Sequence, residues 1–456
     1  MEDQKTKVSQ KKSGSEQLIE RLVSTLIAVG RFLGLVWAPK SRHERDYSDA
    51  AKVPDGADDA FVPVTEFRDS DEGELFNDVM TAFSQDCLAY AKGSGNDPDH
   101  EDKHWGYTKG LVEGTLDITG VQSLPEECQV GLFQSNGTYE VIARPNFLRD
   151  KELIKVSRLS LKIKTGFDVP NVYTLDHTAP ELDLLFSEGI RQGDTESRDQ
   201  DGQGFFFRDA RQLRYLAGFA SRPVKSAFSL LQKSNGDVFV CQRAIMSSAL
   251  DRLYTAQQSR KNWAEKDYYS AGPYRLGNVL IKYALRTRQE SQASTRSSGS
   301  GSPAKDQGAW FNEWKVAGEP AIFDLCIQVA RFGAIPTSAT GQGNPCKAVM
   351  ATEFTDLVWD EDISEFQTVG TLTLQPASNR SDPWYFAGRD RWYPRHVTQV
   401  PALRFNAWNT LPDMEPVGQL FRARKQVHAH HRETRLRHTF NAQNDPQAFC
   451  PFRRPP

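Results

Sequence analysis

Cysteine is scarce in this chain and never clustered. The six thiols, Cys87, Cys128, Cys241, Cys326, Cys346 and Cys450, form no CxxC pair. That spacing excludes a disulfide framework and a structural zinc ribbon, and it suits reduced thiols in a cytoplasmic protein. An excess of one charge sign is also missing. The formal net charge is only -3, with 25% of residues charged, so there is no strongly basic face of the kind that binds nucleic acid. No apolar run reaches the roughly 20 residues that a bilayer span needs. The nearest candidate, Leu18 to Trp37, is interrupted by Glu20, Arg21 and Arg31. It reads as an amphipathic helix that packs on the protein body or a second subunit, as in a homodimer, or that touches a membrane surface peripherally. The start, MEDQKTKVSQKKSGSEQ, is too polar for a secretory signal. Nucleotide-binding and protease signatures are absent too. There is no GxxxxGK[ST], no GxGxxG behind a strand and no HExxH, and Ser298-Gly-Ser-Gly-Ser302 lacks nucleophile-elbow spacing.

What remains is a chain of 456 residues with 38% hydrophobic content, enough for one large or two medium domains. No internal repeat is visible. Residues 1–60 read as a disordered start, the amphipathic helical arm and a polar linker. Residues 61–440 read as the folded domain, and 441–456 as a tail. Gln289 to Gln307, QESQASTRSSGSGSPAKDQ, is a Ser/Gly-rich insertion that cannot bury enough apolar surface to order itself. Glu72 to Lys92 has helical apolar spacing. Asp209 to Ala220 and Ala244 to Gln258 also read as helices. Strand signals dominate elsewhere: Leu111–Ile118, Gly137–Arg144 behind an Asn136-Gly137 turn, Leu159–Lys164, Gly204–Arg208, Val279–Leu285, Phe323–Val329 and Thr368–Leu374. Many strands with long connections predict an α+β fold, an antiparallel β-barrel core dressed with helices.

Near the end lies a basic stretch, Arg422 to His438. On a helix, Arg424, His428, His431 and Arg435 fall at i, i+4, i+7 and i+11 and share one stripe. Two arginines bracketing an imidazole suit a haem: the imidazole reaches iron, one arginine tunes it and the other pairs a propionate. A solvated basic surface is the plainer reading. His428 with His431 also offers two ligands for a non-haem metal, but no third is evident.

Five segments, in order, resemble the haem-dependent catalase-like superfamily, in a divergent branch rather than among typical catalases. Lys109-Gly-Leu-Val-Glu-Gly-Thr-Leu-Asp-Ile118 resembles the first barrel strand, and Tyr139-Glu-Val-Ile-Ala-Arg144 the next. Phe205-Phe-Phe-Arg-Asp209 resembles the distal Phe-Phe-x-Arg-Asp segment. Tyr268-Tyr-Ser-Ala-Gly-Pro-Tyr-Arg-Leu-Gly277 with Lys282-Tyr283 resembles the branch's YxSxxPYRLG…KY motif. Phe405-Asn-Ala-Trp-Asn-Thr-Leu-Pro412 with Pro416, Gly418 and Arg422-Ala-Arg424 resembles its FNPW…LP…P-G…RAR run into the proximal helix. The resemblance covers about residues 65 to 440.

The resemblance implies a haem b cofactor and a set of site residues. Arg424 and Arg435 occupy the proximal arginine positions, and His428 stands where the family has its tyrosine ligand. Imidazole donates less charge to iron than tyrosinate, so His428 as metal ligand would change the chemistry. The distal histidine should fall near Trp105 or Gly106. His104 is the nearest imidazole, and otherwise Trp105 lines the pocket. The distal asparagine falls at Gln200 or Asp201. Phe205 and Phe206 would wall the pocket, and Arg144 would pair a propionate. With both catalytic positions altered, efficient peroxide dismutation is not expected. The resemblance instead implies a haem-dependent oxidative or rearranging enzyme acting on an organic hydroperoxide or lipophilic substrate, with peroxide or dioxygen as co-reactant. Two alternatives stay open: a haem-free binding or scaffold protein of this fold, and a haem-free enzyme that reuses the cavity.

Overall fold

The computed structural model describes residues 56–68, 72–77, 79–81, 107–108, 112–147, 157–170, 178–188, 209–210, 263–288, 314, 318–336, 347–355, 357–376 and 405–427. Ten strands are present among them: β1 (Tyr107–Thr108), β2 (Val112–Ile118), β3 (Gly137–Phe147), β4 (Arg158–Pro170), β5 (Thr178–Glu188), β6 (Tyr268–Ser270), β7 (Tyr274–Leu276), β8 (Val279–Thr287), β9 (Ala321–Val329) and β10 (Gln367–Leu374). Residues 72–77 and 79–81 (α1), Lys347–Glu353 (α2) and 419–427 (α3) are helical. None of the helices in the described residues is long and apolar enough to cross a membrane.

Every pairing is antiparallel, and the order β3-β2-β10-β9-β8-β6-β5-β4 returns to β3 through a further β3–β4 ladder. The sheet therefore closes into an eight-stranded barrel, with β1 added to β3 and β7 to β8. Closure removes the unpaired edges that an open sheet would present. Register decides which residues fill the interior, because directly opposed residues share a face. Leu116 lies opposite Leu372 and Leu372 opposite Phe323. Leu325 opposes Leu285, Leu161 opposes Leu184, and Val141 opposes Ile163. These side chains belong to one buried cluster that draws on all eight strands. The alternating apolar residues of the sequence thus point inward.

The opposite face is covered as well. Lys162, Asp183, Lys282 and Gln328, all on outward positions, are nearly fully buried. Lys282 donates to the Leu357 carbonyl and stacks over the Trp359 ring at 4.4 Å. A second apolar cluster, containing Val62, Phe332, Val349, Met350 and Trp359, packs there with α2.

The strands extend beyond the expected segments at β3, β4, β8, β9 and, by one residue, β10. Pattern reading missed α2 and the strands β1, β5, β6 and β7. Of the expected helix over Glu72 to Lys92, residues 72–77 and 79–81 are helical and the rest lies outside the described residues. The expected arm at 18–37, the helix 244–258, the strand 204–208, the insertion at 289–307 and the tail also lie outside them. Of the expected helix 209–220, only residues 209–210 are described, with Ala210 helical.

Candidate functional site

Residues 405–427 lie as a seam across the barrel, and buried charge holds them there. The register puts Arg144, Ser160, Lys162 and Asp183 on the outward face of β3, β4 and β5. Lys162 Nζ donates to Glu181 at 3.0 Å and to Asp183 Oδ1 at 2.7 Å. The other oxygen of Asp183 accepts the backbone N–H of Asn406 at 2.8 Å and the side-chain amide of Asn409 at 2.9 Å. Asp183 therefore ties the Phe405–Asn409 turn to the barrel. Phe405 then lies under two cations, with Arg144 Cζ 4.4 Å and Lys162 Nζ 5.3 Å from its ring centre. Burial pushes the Asp183 carboxyl up to about 6, and the nearby Glu181 adds to this, while Lys162 and the Asn406 N–H oppose it.

From that turn the chain passes to α3. Trp408 Nε1 donates to the Phe421 carbonyl at 3.1 Å. Arg422 faces an acidic group, donating to Glu72 at 2.7 and 3.0 Å, to Glu66 at 3.1 Å and to Glu353. Leu420, Phe421, Ala423 and Val427 are buried, whereas Lys425 and Gln426 are exposed. Arg424 lies over the Phe421 ring at 5.5 Å. Burial lowers its pKa, and the neighbouring Tyr274 offsets this in part.

Aromatic side chains stand where α3 meets the barrel. Tyr274 packs edge-on against Phe421 and Tyr283, each 5.1 Å away, and Tyr283 stacks on Phe133. The hydroxyls of Tyr274 and Tyr283 are buried and have no hydrogen-bond partner among the described residues. Burial raises both pKa values, so neither phenol acts as a base near neutral pH. Cys128 is buried nearby, its thiol pushed up to about 12 by burial and by Glu127.

The YxSxxPYRLG…KY segment finds a structural explanation here. Tyr268 donates its hydroxyl to the Trp263 carbonyl at 2.7 Å, and the Ser270 hydroxyl to the Gly272 carbonyl at 2.8 Å. Gly277 turns β7 into β8 at φ 62°, where a Cβ would sit 2.3 Å from the Glu127 carbonyl oxygen. Lys282 and Tyr283 alternate outward and inward on β8.

Two of the expected cofactor-binding residues are described. Arg144 is on β3 and Arg424 on α3, both along this seam. His104, Trp105, Gln200, Phe205, Phe206, His428 and Arg435 lie outside the described residues. Among those described, no group of three or more His, Cys, Asp or Glu is arranged to hold a metal ion. Sequence reading missed Asp183, Lys162, Tyr274 and Tyr283. The tyrosines stood in a quoted motif without a role, and the Asp183 cluster left no local signal.

Arg144 and Arg424 are cations set against aromatic rings, and Arg424 is partly buried beside Tyr274, the kind of flank that can accept an anionic group such as a haem propionate.

No family model matches the chain, and no curated protein matches it. Among solved structures it is similar to a fungal catalase, with a TM-score of 0.43 and 15% identity over 74% of this chain and 60% of that one. It is also similar to a bacterial catalase, with a TM-score of 0.41 and 13% identity over 76% of this chain and 59% of that one. The chain spans about three fifths of the length of these catalases. It is a divergent chain with a distant structural similarity to catalases and a closed eight-stranded antiparallel barrel of its own.

Proposed function

We propose that this chain binds haem at the seam between the barrel and α3 and acts on an organic substrate, a hydroperoxide or another lipophilic molecule, with weak or no catalase activity. The observation that carries this reading is the setting of Arg424. It lies on α3 over the Phe421 ring and close to Tyr274 of β7, and the residue four positions further along the sequence is His428. In this reading His428 would hold the haem iron with Arg424 supporting it, and Arg144 and Arg435 would pair the propionates. Phe205 and Phe206 wall the pocket, with His104, Trp105 or Gln200 as the distal polar groups. Haem, when bound, supplies the oxidative or rearranging chemistry. An imidazole in place of tyrosinate donates less charge to the iron, which is the reason for expecting little peroxide dismutation.

The test is an absorption spectrum of protein expressed with haem precursor, with pyridine haemochrome quantification. A Soret band at near-stoichiometric haem that shifts or is lost in His428→Ala is the expected result. Haem retained with an unchanged spectrum in His428→Ala would refute the ligand assignment. A colourless protein after reconstitution would refute haem binding. That outcome would favour a second reading, a haem-free pocket for an organic ligand, which the two buried tyrosine hydroxyls lacking partners among the described residues support.

A further inference from the structure

Tyr274 is 1% exposed, yet its hydroxyl has no hydrogen-bond partner among the described residues. A buried donor without an acceptor costs stability, so a position that keeps one calls for an explanation. The backbone of Tyr274 is fixed against the segment that leads into α3. Tyr274 forms an antiparallel bridge with Pro416, the Arg275 N–H donates to the Glu415 carbonyl at 2.9 Å, and the Val417 N–H donates to the Pro273 carbonyl at 3.1 Å. The ring stands edge-on to Phe421 of α3, 5.1 Å away, and Arg424 lies 5.5 Å from the centre of that same Phe421 ring. Phenol and guanidinium thus border one side chain, and each feels the charge of the other. Asp183 is the other charge that Tyr274 feels, but its oxygens are already engaged by Lys162, Asn406 and Asn409. Burial keeps the phenol protonated, so its hydroxyl is available as a donor. Tyr283 also lacks a hydroxyl partner among the described residues, but it lies behind Tyr274, and the charges it feels are those of Tyr274 and Cys128.

We propose that Tyr274 is a further cofactor-binding residue, whose hydroxyl donates a hydrogen bond to a propionate oxygen of haem at the seam, on the side of Arg424. This inference rests on the haem reading above. Arg424 supplies charge and Tyr274 supplies a directed donor, and a hydrogen bond to an ionised acceptor is among the stronger ones. The phenol is set in advance by the bridge to Pro416 and by the rings of Phe421 and Tyr283, so little side-chain freedom is lost when it binds. Without haem the same hydroxyl is a burden on the fold.

Tyr274→Phe keeps the ring and removes only the hydroxyl. Haem release from the loaded full chain to apomyoglobin, followed at the Soret band, should be about tenfold or more faster in Tyr274→Phe than in the parent. With haem dimethyl ester, whose propionates carry no charge, the difference between the two chains should largely vanish. Tyr283→Phe should release haem b as the parent does. In the absence of haem, Tyr274→Phe should unfold at a urea concentration no lower than the parent. Equal release of haem b from Tyr274→Phe and the parent would overturn the proposal and show that water satisfies the hydroxyl, while the His428 assignment would stand. A lower urea midpoint in haem-free Tyr274→Phe would also overturn it, because the hydroxyl would then be bonded within the fold. A parent chain that takes up no haem would overturn this inference together with the haem reading.

Discussion

Asp183 shows how one residue couples barrel and seam. Both of its oxygens are occupied, one by Lys162 and the other by the Asn406–Asn409 turn. Two buried carboxylates share a single lysine, and desolvation raises Asp183 from 3.8 to about 6 despite that lysine. The sign follows from linkage: an acid whose folded pKa is raised binds its proton more tightly in the native state. Its stabilising share is therefore fully present below about pH 3.8 and is lost as pH rises through about 6. Denaturant unfolding from about pH 4 to about pH 6 should show this share falling in the parent chain, by on the order of 1–3 kcal/mol. The Asp183→Asn variant should lack that component. An identical pH profile in the two proteins would contradict the assignment.

At the scale of elements, α3 is placed by Arg422. Burial works against the charge of this arginine, and Glu72, Glu353 and Glu66 more than reverse that, so its pKa rises. One guanidinium thereby fastens α3 to α1 and to α2, whose last residue is Glu353. The Gln419 N–H donates to the same Glu353 at 2.8 Å. Gly418 leads into α3 at φ 92°, where a Cβ would stand 2.3 Å from the Thr352 carbonyl oxygen. Arg422→Ala would leave Glu72 and Glu353 buried without their counter-charge, and a loss of about 3–5 kcal/mol is expected by denaturant unfolding. Arg422→Lys should recover only part of it, because an ammonium cannot span several carboxylates as the planar fork does. Since Arg424 sits two residues further along, the same variants should also disturb any ligand spectrum that depends on α3.

The whole molecule is governed by barrel closure. β8 and β9 are buried on both faces along most of their length, and their amides sit in ladders with neighbours on each side. Their exchange with solvent deuterium should require global unfolding, so the free energies of Leu280–Leu285 and Leu325–Val329 should equal the global value. β1 and β7, outside the closed ring, should exchange through smaller openings. Exchange of β8 amides as fast as those of β7 would show that the ring is not one cooperative unit.

Part of this was legible in the sequence. Alternating apolar residues marked β2, β8, β9 and β10, because one side of each strand must face the barrel interior whatever its partners are. Apolar spacing marked the start of α1 for the same reason. β5 was hidden because Glu181 and Asp183 look like solvent-facing acids; only the pairing of β4 with β5 brings Lys162 beneath them and allows their burial. α2 is seven residues long, too short for a periodic pattern. Arg144 and Arg424 stood out through motif resemblance, but the Phe405 ring against Arg144 and the Tyr274 ring near Arg424 come from distant parts of the chain, and only Phe421, one helical turn before Arg424, is local. The sequence by itself determined where apolar faces recur and where glycine must turn the backbone, since these are local. Tertiary structure alone decided which charges are buried together, because Asp183 and Asn409 meet across 226 residues of chain.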